Sequence, residues 1–337
     1  MLQQNLGSGI FLMKVFLIRR LFQGALVVFI MSLVVFFGVY AVGNPVEILI
    51  NPDATPEIKQ QAIEKLGLDK PILQQYWYFL LGALRGDLGN SFIYDEPALQ
   101  LILSAMPATL ELAICSLLLA LFIGIPLGMV AGYWPNSWGS NVIMTASIFG
   151  FSLPSFWVGL MLILFFAVGL GWLPSGGRGE TVSIGGFPVS FLTWDGLSHL
   201  IMPAINLALF KVSLIIRLTR AGMMETMQQD FIKFAKAKGL KSSRIVIVHA
   251  LRNILIPIIT VLGLEMGSLI AFAVVTETVF SWPGMGKLII DSINLLDRPI
   301  IVAYLMMTVI MFVVINLIVD LTYSVVDPRV RYSDMDK

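Results

Sequence analysis

Residues 230–257 read DFIKFAKAKGLKSSRIVIVHALRNILIP and hold six Lys or Arg residues against a single Asp. This basic stretch lies between two apolar segments of a chain in which 57% of the residues are hydrophobic and only 13% are charged. The mean hydropathy of +0.87 exceeds that of water-soluble domains, so most of the chain faces lipid. Where the charges lie therefore decides how the chain crosses the membrane.

Six stretches are long and apolar enough to cross a hydrocarbon core of roughly 30 Å as helices. They are Leu21–Val42, Leu110–Ala131, Val142–Leu170, Leu200–Leu218, Ile254–Phe280 and Ile300–Val326. Pro154 should kink the third span, because proline frees a backbone carbonyl. The first run is about 22 residues long, which exceeds the apolar core of a secretory signal, so we interpret it as an uncleaved span.

Six spans place both termini on one side of the membrane. With that side cytoplasmic, the inner segments hold fourteen Lys/Arg against five Asp/Glu, and the outer segments hold seven against twelve. The positive-inside rule therefore predicts that both termini and the basic stretch are cytoplasmic. The predicted organisation is an N-terminus with the first span (1–42), a periplasmic loop with short helices (43–104), a core of five spans with a cytoplasmic loop at 221–253 (105–326), and a cytoplasmic tail (327–337).

The first outer loop contains helix signals. Thr55 is a candidate N-cap, Pro56 suits the first helical position, and Gly67 is a candidate stop. Tyr76, Trp77 and Tyr78 in the next segment suit the membrane interface. The loop is predicted to form short helices, which either lie on the outer leaflet or dock a soluble partner. The second outer segment, around residues 171–199, is rich in glycine and predicts an ordered, adaptable loop.

Some polar residues fall within or near the spans. Charges near mid-bilayer cost a few kcal/mol, so they usually face a cavity or a partner. Glu111, Glu277 and Asp320 are close enough to span ends to reach water, whereas Glu265 lies deepest among the acids. The candidates for a translocation path are Glu111, Asn206 and Glu265.

The sequence contains no motif typical of a nucleotide-binding or catalytic site. The segment SWPGMGKLI (281–289) has Ser281 and Leu288 where a phosphate-binding loop needs Gly and Ser or Thr. His199 and His249 are predicted on opposite sides of the membrane. We predict no catalytic, metal or nucleotide site on this chain, and no nucleic-acid partner. The small-residue rows Gly124, Gly128, Gly132 and Gly263, Gly267, Ala271 predict close helix packing.

The basic stretch itself predicts a short amphipathic helix, with apolar Phe231, Phe234, Ala235 and Ala237 interspersed with lysines. One interpretation is a topology signal that binds anionic lipid. The other is a helix that docks into a groove on a partner. An apolar face followed by Gly239 favours the docking helix.

The basic stretch and several other segments resemble a known family. The run from Ala235 to Gly239, followed by His249-Ala-Leu-Arg-Asn253 and Pro257, is similar to the cytoplasmic loop of ABC importer permeases. LGLDKPILQQYWYFLLGALRGDLGNS, PATLELA, ETVFSWPGMGKLI and VDLTYSVVDPRVRY match in order along nearly the whole chain. The best resemblance is to the dipeptide/oligopeptide/nickel branch, and within it to the dipeptide permeases. The broader importer pattern has Glu and Ala where Lys233 and Phe234 stand, and the peptide branch shares that loosened form.

The resemblance implies an all-α, type I importer fold in the bacterial inner membrane. It also implies a second homologous permease subunit, two ABC ATPase subunits that use ATP and Mg, and an extracytoplasmic solute-binding protein. No cofactor is implied on this chain. The loop would contact the ATPase through a coupling helix, whose unit we place at Asp230, Phe231, Phe234, Ala235, Lys236, Gly239 and Arg244. Phe231 and Ala235 would be the contact residues.

Without the resemblance, the residues leave two other classes of membrane protein possible. An ion-coupled secondary transporter would use Glu111, Glu265 and Asp320 as ion sites, but no inverted repeat is evident. A membrane-embedded enzyme would need a nucleophile with a base beside it, and the sequence offers none.

Overall fold

The computed structural model describes residues 2–40, 55–65 and 69–326. These residues form helices α1 to α12, two π-helical segments and one β-hairpin. The α-helices are Leu2–Tyr40, Pro56–Lys65, Ile72–Ala83, Ala98–Tyr133, Trp138–Ser152, Ser155–Leu162, Trp194–Thr226, Asp230–Ala237, Ser242–Arg244, Leu251–Val279, Met285–Asn294 and Arg298–Val326. The π-helical segments are π1 (Ile163–Gly169) and π2 (Ile245–Ala250), and the strands are β1 (Val182–Ile184) and β2 (Phe187–Val189).

Membrane-spanning helices account for most of the described residues. Four single helices are long and apolar enough to cross a membrane: Leu17–Val39, Ala98–Tyr133, Trp194–Thr226 and Arg298–Leu321. Two bent pairs bring the number to as many as six. The predicted break at Pro154 is confirmed, because α5 and the helix from Ser155 to Gly169 meet there at 102°. A proline that cannot donate to the preceding turn allows this sharp break.

The predicted second span, Leu110–Ala131, begins too late in the sequence. Helix α4 begins at Ala98, twelve residues before the predicted start, and contains Pro107 and Pro126 without ending. At 1.5 Å per residue its 36 residues extend well beyond a bilayer core. Hydropathy detects only the lipid-facing part of such a helix, which is why sequence analysis missed its first turns.

The chain divides into two compact units. One comprises Met1–Ser104 and Leu288–Leu317, and the other Ala105–Lys287 and Ile318–Lys337. The domain boundaries drawn from the sequence follow spans and loops and remain predictions. The tail 327–337, residues 41–54 and the predicted helix stop at Gly67 lie outside the described residues.

In the first unit, α1 packs against α3. The hydroxyl groups of Ser32 and Tyr76 lie 2.9 Å apart, and the rings of Phe36 and Tyr76 meet edge to face at 5.4 Å. The predicted helix after Thr55 is confirmed as α2. Hydrogen bonds from its own backbone N–H and from the Thr55 side chain lower the pKa of Glu57 below its ordinary value.

A buried aspartate also fixes the loop before α4 in the first unit. Asp297 accepts hydrogen bonds from the hydroxyl of Ser91 at 2.5 Å and from the backbone N–H of Phe92 at 3.1 Å. The Asp297 side chain is fully buried, so these donors replace the water that its charge would otherwise need. Sequence analysis missed this contact because 206 residues separate Ser91 from Asp297.

In the second unit, α7 packs against α4, α5 and α10. The glycine row at 124, 128 and 132 lies directly against α7, as predicted: a Cβ built on Gly128 would lie 2.5 Å from the Cβ of Thr219. Likewise, a Cβ on Gly263 of α10 would collide with Val319. Small residues here let helix backbones approach closely.

Candidate functional site

The predicted short amphipathic helix is present as α8, Asp230–Ala237, and its docking role remains a prediction. Asp230 stands in its first turn and pairs with Lys233 at 2.8 Å on the exposed surface. Gly239 follows the end of the helix, and its φ of +74° is in the left-handed region. There the Gly239 N–H donates to the carbonyl of Lys236 at 2.9 Å, which satisfies a carbonyl at the helix end.

Helix α8 has two apolar faces. Ile232 and Ala235 are buried and pack with Ile245, so this face holds the helix onto its own chain. Phe231 and Phe234, by contrast, are 41% and 61% exposed. We call Phe231 and Phe234 the phenylalanine face. Of the two predicted contact residues, Phe231 is on this exposed face and Ala235 is on the buried one.

A lysine lies against the phenylalanine face. The Lys238 ammonium lies 4.5 Å from the centroid of the Phe234 ring. Lys236 and Arg244 are exposed. Beyond Arg244, π2 connects α8 and the short α9 to α10. The arrangement is an exposed apolar patch with the Lys238 ammonium over one of its rings.

The three candidate path residues lie at three separate places in the second unit. Glu111 is buried and accepts hydrogen bonds from Arg178 at 2.6 Å and from the N–H and hydroxyl groups of Ser190. It thereby anchors the second outer segment. The Arg178 guanidinium also lies 5.8 Å from the centroid of the Trp282 ring. A path role for Glu111 remains a prediction.

Asn206 is fully buried in α7, and its amide Nδ2 donates to the hydroxyl of Thr276 in α10 at 3.0 Å. Its Oδ1 has no hydrogen-bond partner within the described part of the chain. Glu265, at the middle of α10, pairs with Lys211 of α7. This pair explains how a lysine is accommodated inside the fourth predicted span.

Glu111 and Glu277 were both predicted to be close enough to span ends to reach water, and both are buried instead. The second of these, Glu277, is held by a separate cluster. It is fully buried at the end of α10, where its carboxylate accepts hydrogen bonds from Thr109, from the Gly286 N–H at 2.6 Å and from the Lys287 N–H at 3.1 Å. The prediction used distance from the span end alone and ignored the glycines that follow. A Cβ on Gly284 would overlap the Glu277 carboxyl, so the glycine-rich turn is a sequence signal for this cluster.

Residues 124–332 match the family model of the binding-protein-dependent transport system inner membrane component. The chain belongs to this family. Residues 13–113 match the model for the N-terminal part of such membrane components. The chain is thus an inner-membrane permease subunit of an ABC importer. It is the translocation component, and separate subunits hydrolyse the ATP. This supports the importer prediction over the secondary transporter.

Curated relatives cover almost the whole permease. The di/tripeptide transport system permease protein DppB of Pseudomonas aeruginosa (strain UCBPP-PA14) is 39% identical, over 86% of this chain and 90% of its own length. The dipeptide permease DppB of Alkalihalophilus pseudofirmus is 36% identical, over 95% and 100%. The glutathione transport system permease protein GsiC of Escherichia coli (strain K12) is 34% identical, over 94% and 99%.

A solved structure shares the fold. The inward-facing MetNI methionine ABC transporter matches 68% of this permease and 97% of the other chain, with a TM-score of 0.52 and 16% identity. The likeness confirms the predicted type I importer fold.

Proposed function

We propose that this permease carries di- or oligopeptides, or a similar small peptide such as glutathione, from a solute-binding protein into the cytoplasm. It would form half of the pathway with a second, homologous permease subunit. Two ABC ATPases, which use ATP and Mg, would drive the cycle from the cytoplasmic side. The names of the relatives support a peptide substrate, since these relatives match more than four-fifths of the chain at 34–39% identity.

The phenylalanine face of α8 is the proposed contact with an ATPase. The observation that carries this proposal is the division between buried Ile232 and Ala235 and exposed Phe231 and Phe234. A helix already anchored by one apolar face, with aromatic rings on the other, is organised to enter a partner's groove. Asp230, Lys236, Gly239 and Arg244 would shape the ends and rim of this contact.

The chain offers a direct mechanical connection. Three residues separate the end of α7 at Thr226 from the start of α8 at Asp230, and π2 leads directly into α10. A rigid-body shift of α8 on ATPase closure would therefore tilt α7 and α10 together and alternate access to the pathway.

The proposed coupling is tested by substituting the phenylalanine face in the assembled complex. Phe231→Ala with Phe234→Ala should reduce both the ATPase recovered with the permease and the uptake of peptide. Lys233→Ala is the matched control, because its exposed ion pair contributes roughly 0–1 kcal/mol. Normal ATPase recovery and uptake in the double variant would refute the coupling contact.

The substrate is tested by purifying the complex with its binding protein and identifying the bound solute by mass spectrometry. Peptides in the binding protein, together with their ATP-dependent uptake into proteoliposomes, are the expected result. A non-peptide solute would refute the substrate proposal and leave the coupling contact untouched.

A further inference from the structure

Lys211 and Glu265 pair at the middle of two packed helices. Each lies at least fourteen residues from both ends of its helix, which is about 20 Å along the axis. The Lys211 ammonium donates to Oε2 of Glu265 and, at 2.8 Å, to the hydroxyl of Ser268. Ser268 Oγ also lies 2.7 Å from the same carboxylate oxygen. One oxygen of Glu265 is therefore held by two neighbours.

The two charges are unequally exposed. The Lys211 side chain is 11% exposed, whereas that of Glu265 is 31% exposed. Oε1 of Glu265 accepts no hydrogen bond from the residues that the structure describes. A carboxylate at this depth is costly against lipid and Glu265 is partly exposed, so its side chain is expected to face a polar cavity or a partner.

The geometry points to Oε1 of Glu265 as a subsite for the primary ammonium group of a peptide in transit. A carboxylate oxygen accepts short, charge-assisted hydrogen bonds from an ammonium. Lys211 cancels the net charge, which leaves a fixed dipole with its negative end outward. Such a dipole binds a cation weakly, so the bound ammonium can dissociate again during transport. The inference rests on the peptide-import function proposed above.

A purely structural ion pair would behave differently. Replacing both partners of a buried pair by apolar side chains of similar size is often neutral for folding. The double substitution Lys211→Met with Glu265→Leu therefore separates a packing role from a binding role, since it leaves no unpaired charge. Glu265→Gln, which keeps the side-chain shape, is a second variant that also removes the negative end of the dipole.

Binding is measured on the permease–ATPase complex in detergent, without the binding protein, by saturation-transfer NMR. Alanine amide carries a primary ammonium and no carboxylate, and N-acetylalanine amide lacks the ammonium. Wild type should give a signal for alanine amide that falls about tenfold in both variants, as expected for loss of about one charge-assisted hydrogen bond. Equal alanine amide signals in wild type and variants, or equal signals for both probes in wild type, would overturn the subsite.

Uptake in proteoliposomes with the binding protein gives the second readout. Peptide imported per ATP hydrolysed should fall about tenfold in the double variant. The single variant Glu265→Asp keeps the carboxylate, so its import should fall less. Unchanged uptake in the double variant refutes the subsite alone. A wild-type complex that imports no peptide refutes the proposed function instead.

Discussion

Glu277 of α10 accepts a hydrogen bond from the hydroxyl of Thr109 of α4 at 2.7 Å, although 168 residues separate them in the chain. The same Thr109 oxygen accepts the N–H of Met285 at 2.8 Å, at the start of α11. The buried carboxylate thus joins α4 and α10 to the first turn of α11. Its partners compensate for the removal of this polar group from water.

Thr109→Val should destabilise the permease, because it removes both the donor to Glu277 and the acceptor for Met285. The expected loss is about 1–3 kcal/mol, measured as a lower thermal unfolding midpoint in detergent. Thr109→Ser keeps the hydroxyl and is the matched control. Equal midpoints for the two variants would show that the contact contributes little.

Gly128→Ala should disturb the packing of α4 on α7. The added Cβ would meet the Cβ of Thr219 at 2.5 Å and the carbonyl oxygen of Ile216 at 2.8 Å, so the helices must separate at a cost of about 1–3 kcal/mol. Gly139→Ala is the control, since its nearest atom is the Ser137 hydroxyl oxygen at 3.9 Å. Reduced thermal stability in the first variant only is the expected result.

Arg178→Met should loosen the second outer segment. It removes the guanidinium that donates to Glu111 and to the Pro188 carbonyl at 2.5 Å, and it leaves the buried Glu111 without its cation. Limited proteolysis from the outer side should cut residues 171–193 on the order of tenfold faster, as expected for a loss of about 1–3 kcal/mol. Substitution of exposed Arg85 by Met should leave the cleavage rate unchanged, and equal rates for both variants would contradict the anchor.

Gly239→Val should weaken recovery of the ATPase with the permease. No described atom lies within 4 Å of a Cβ at this position, so the penalty arises only from the φ of +74° and amounts to roughly 1–2 kcal/mol. Gly239→Asn is the control, because asparagine tolerates the left-handed conformation. If valine and asparagine give the same recovery, the helix end is not needed for assembly.

The orientation in the membrane remains a prediction with a direct test. Cys115 is the only cysteine, so a Cys115→Ala background allows single cysteines to be labelled. Ser183→Cys in the hairpin should react with an impermeant maleimide from outside intact cells. Lys236→Cys on α8 should react only after permeabilisation. The reverse pattern would refute cytoplasmic termini.

Local signals explain what the sequence could predict. Apolar length predicts spans, and Pro154 predicts the break of 102°, because each acts through neighbouring residues. Lys211 and Glu265 are 54 residues apart in the sequence, and they pair only because α7 packs on α10. A local sequence pattern carries no information about that packing.

Helix α8 shows a second limit. Phe231 and Phe234 lie three residues apart on one face, and Ile232 and Ala235 share another. Helical periodicity finds both apolar faces and cannot tell which of them the chain covers itself. The contact of Ile232 with Ile245 shows which face the chain covers, and the phenylalanine face is the one that it leaves exposed.

The contact between Gly24 and Val313 has a consequence for biogenesis. A Cβ on Gly24 of α1 would lie 2.7 Å from Val313 of α12, so α1 packs closely on a helix that is synthesised much later. At roughly 5–20 residues per second, ribosomes need about 15–60 s to reach the partner residue. During that interval the Gly24 face of α1 lies in the bilayer without α12, open to lipid or to insertion chaperones.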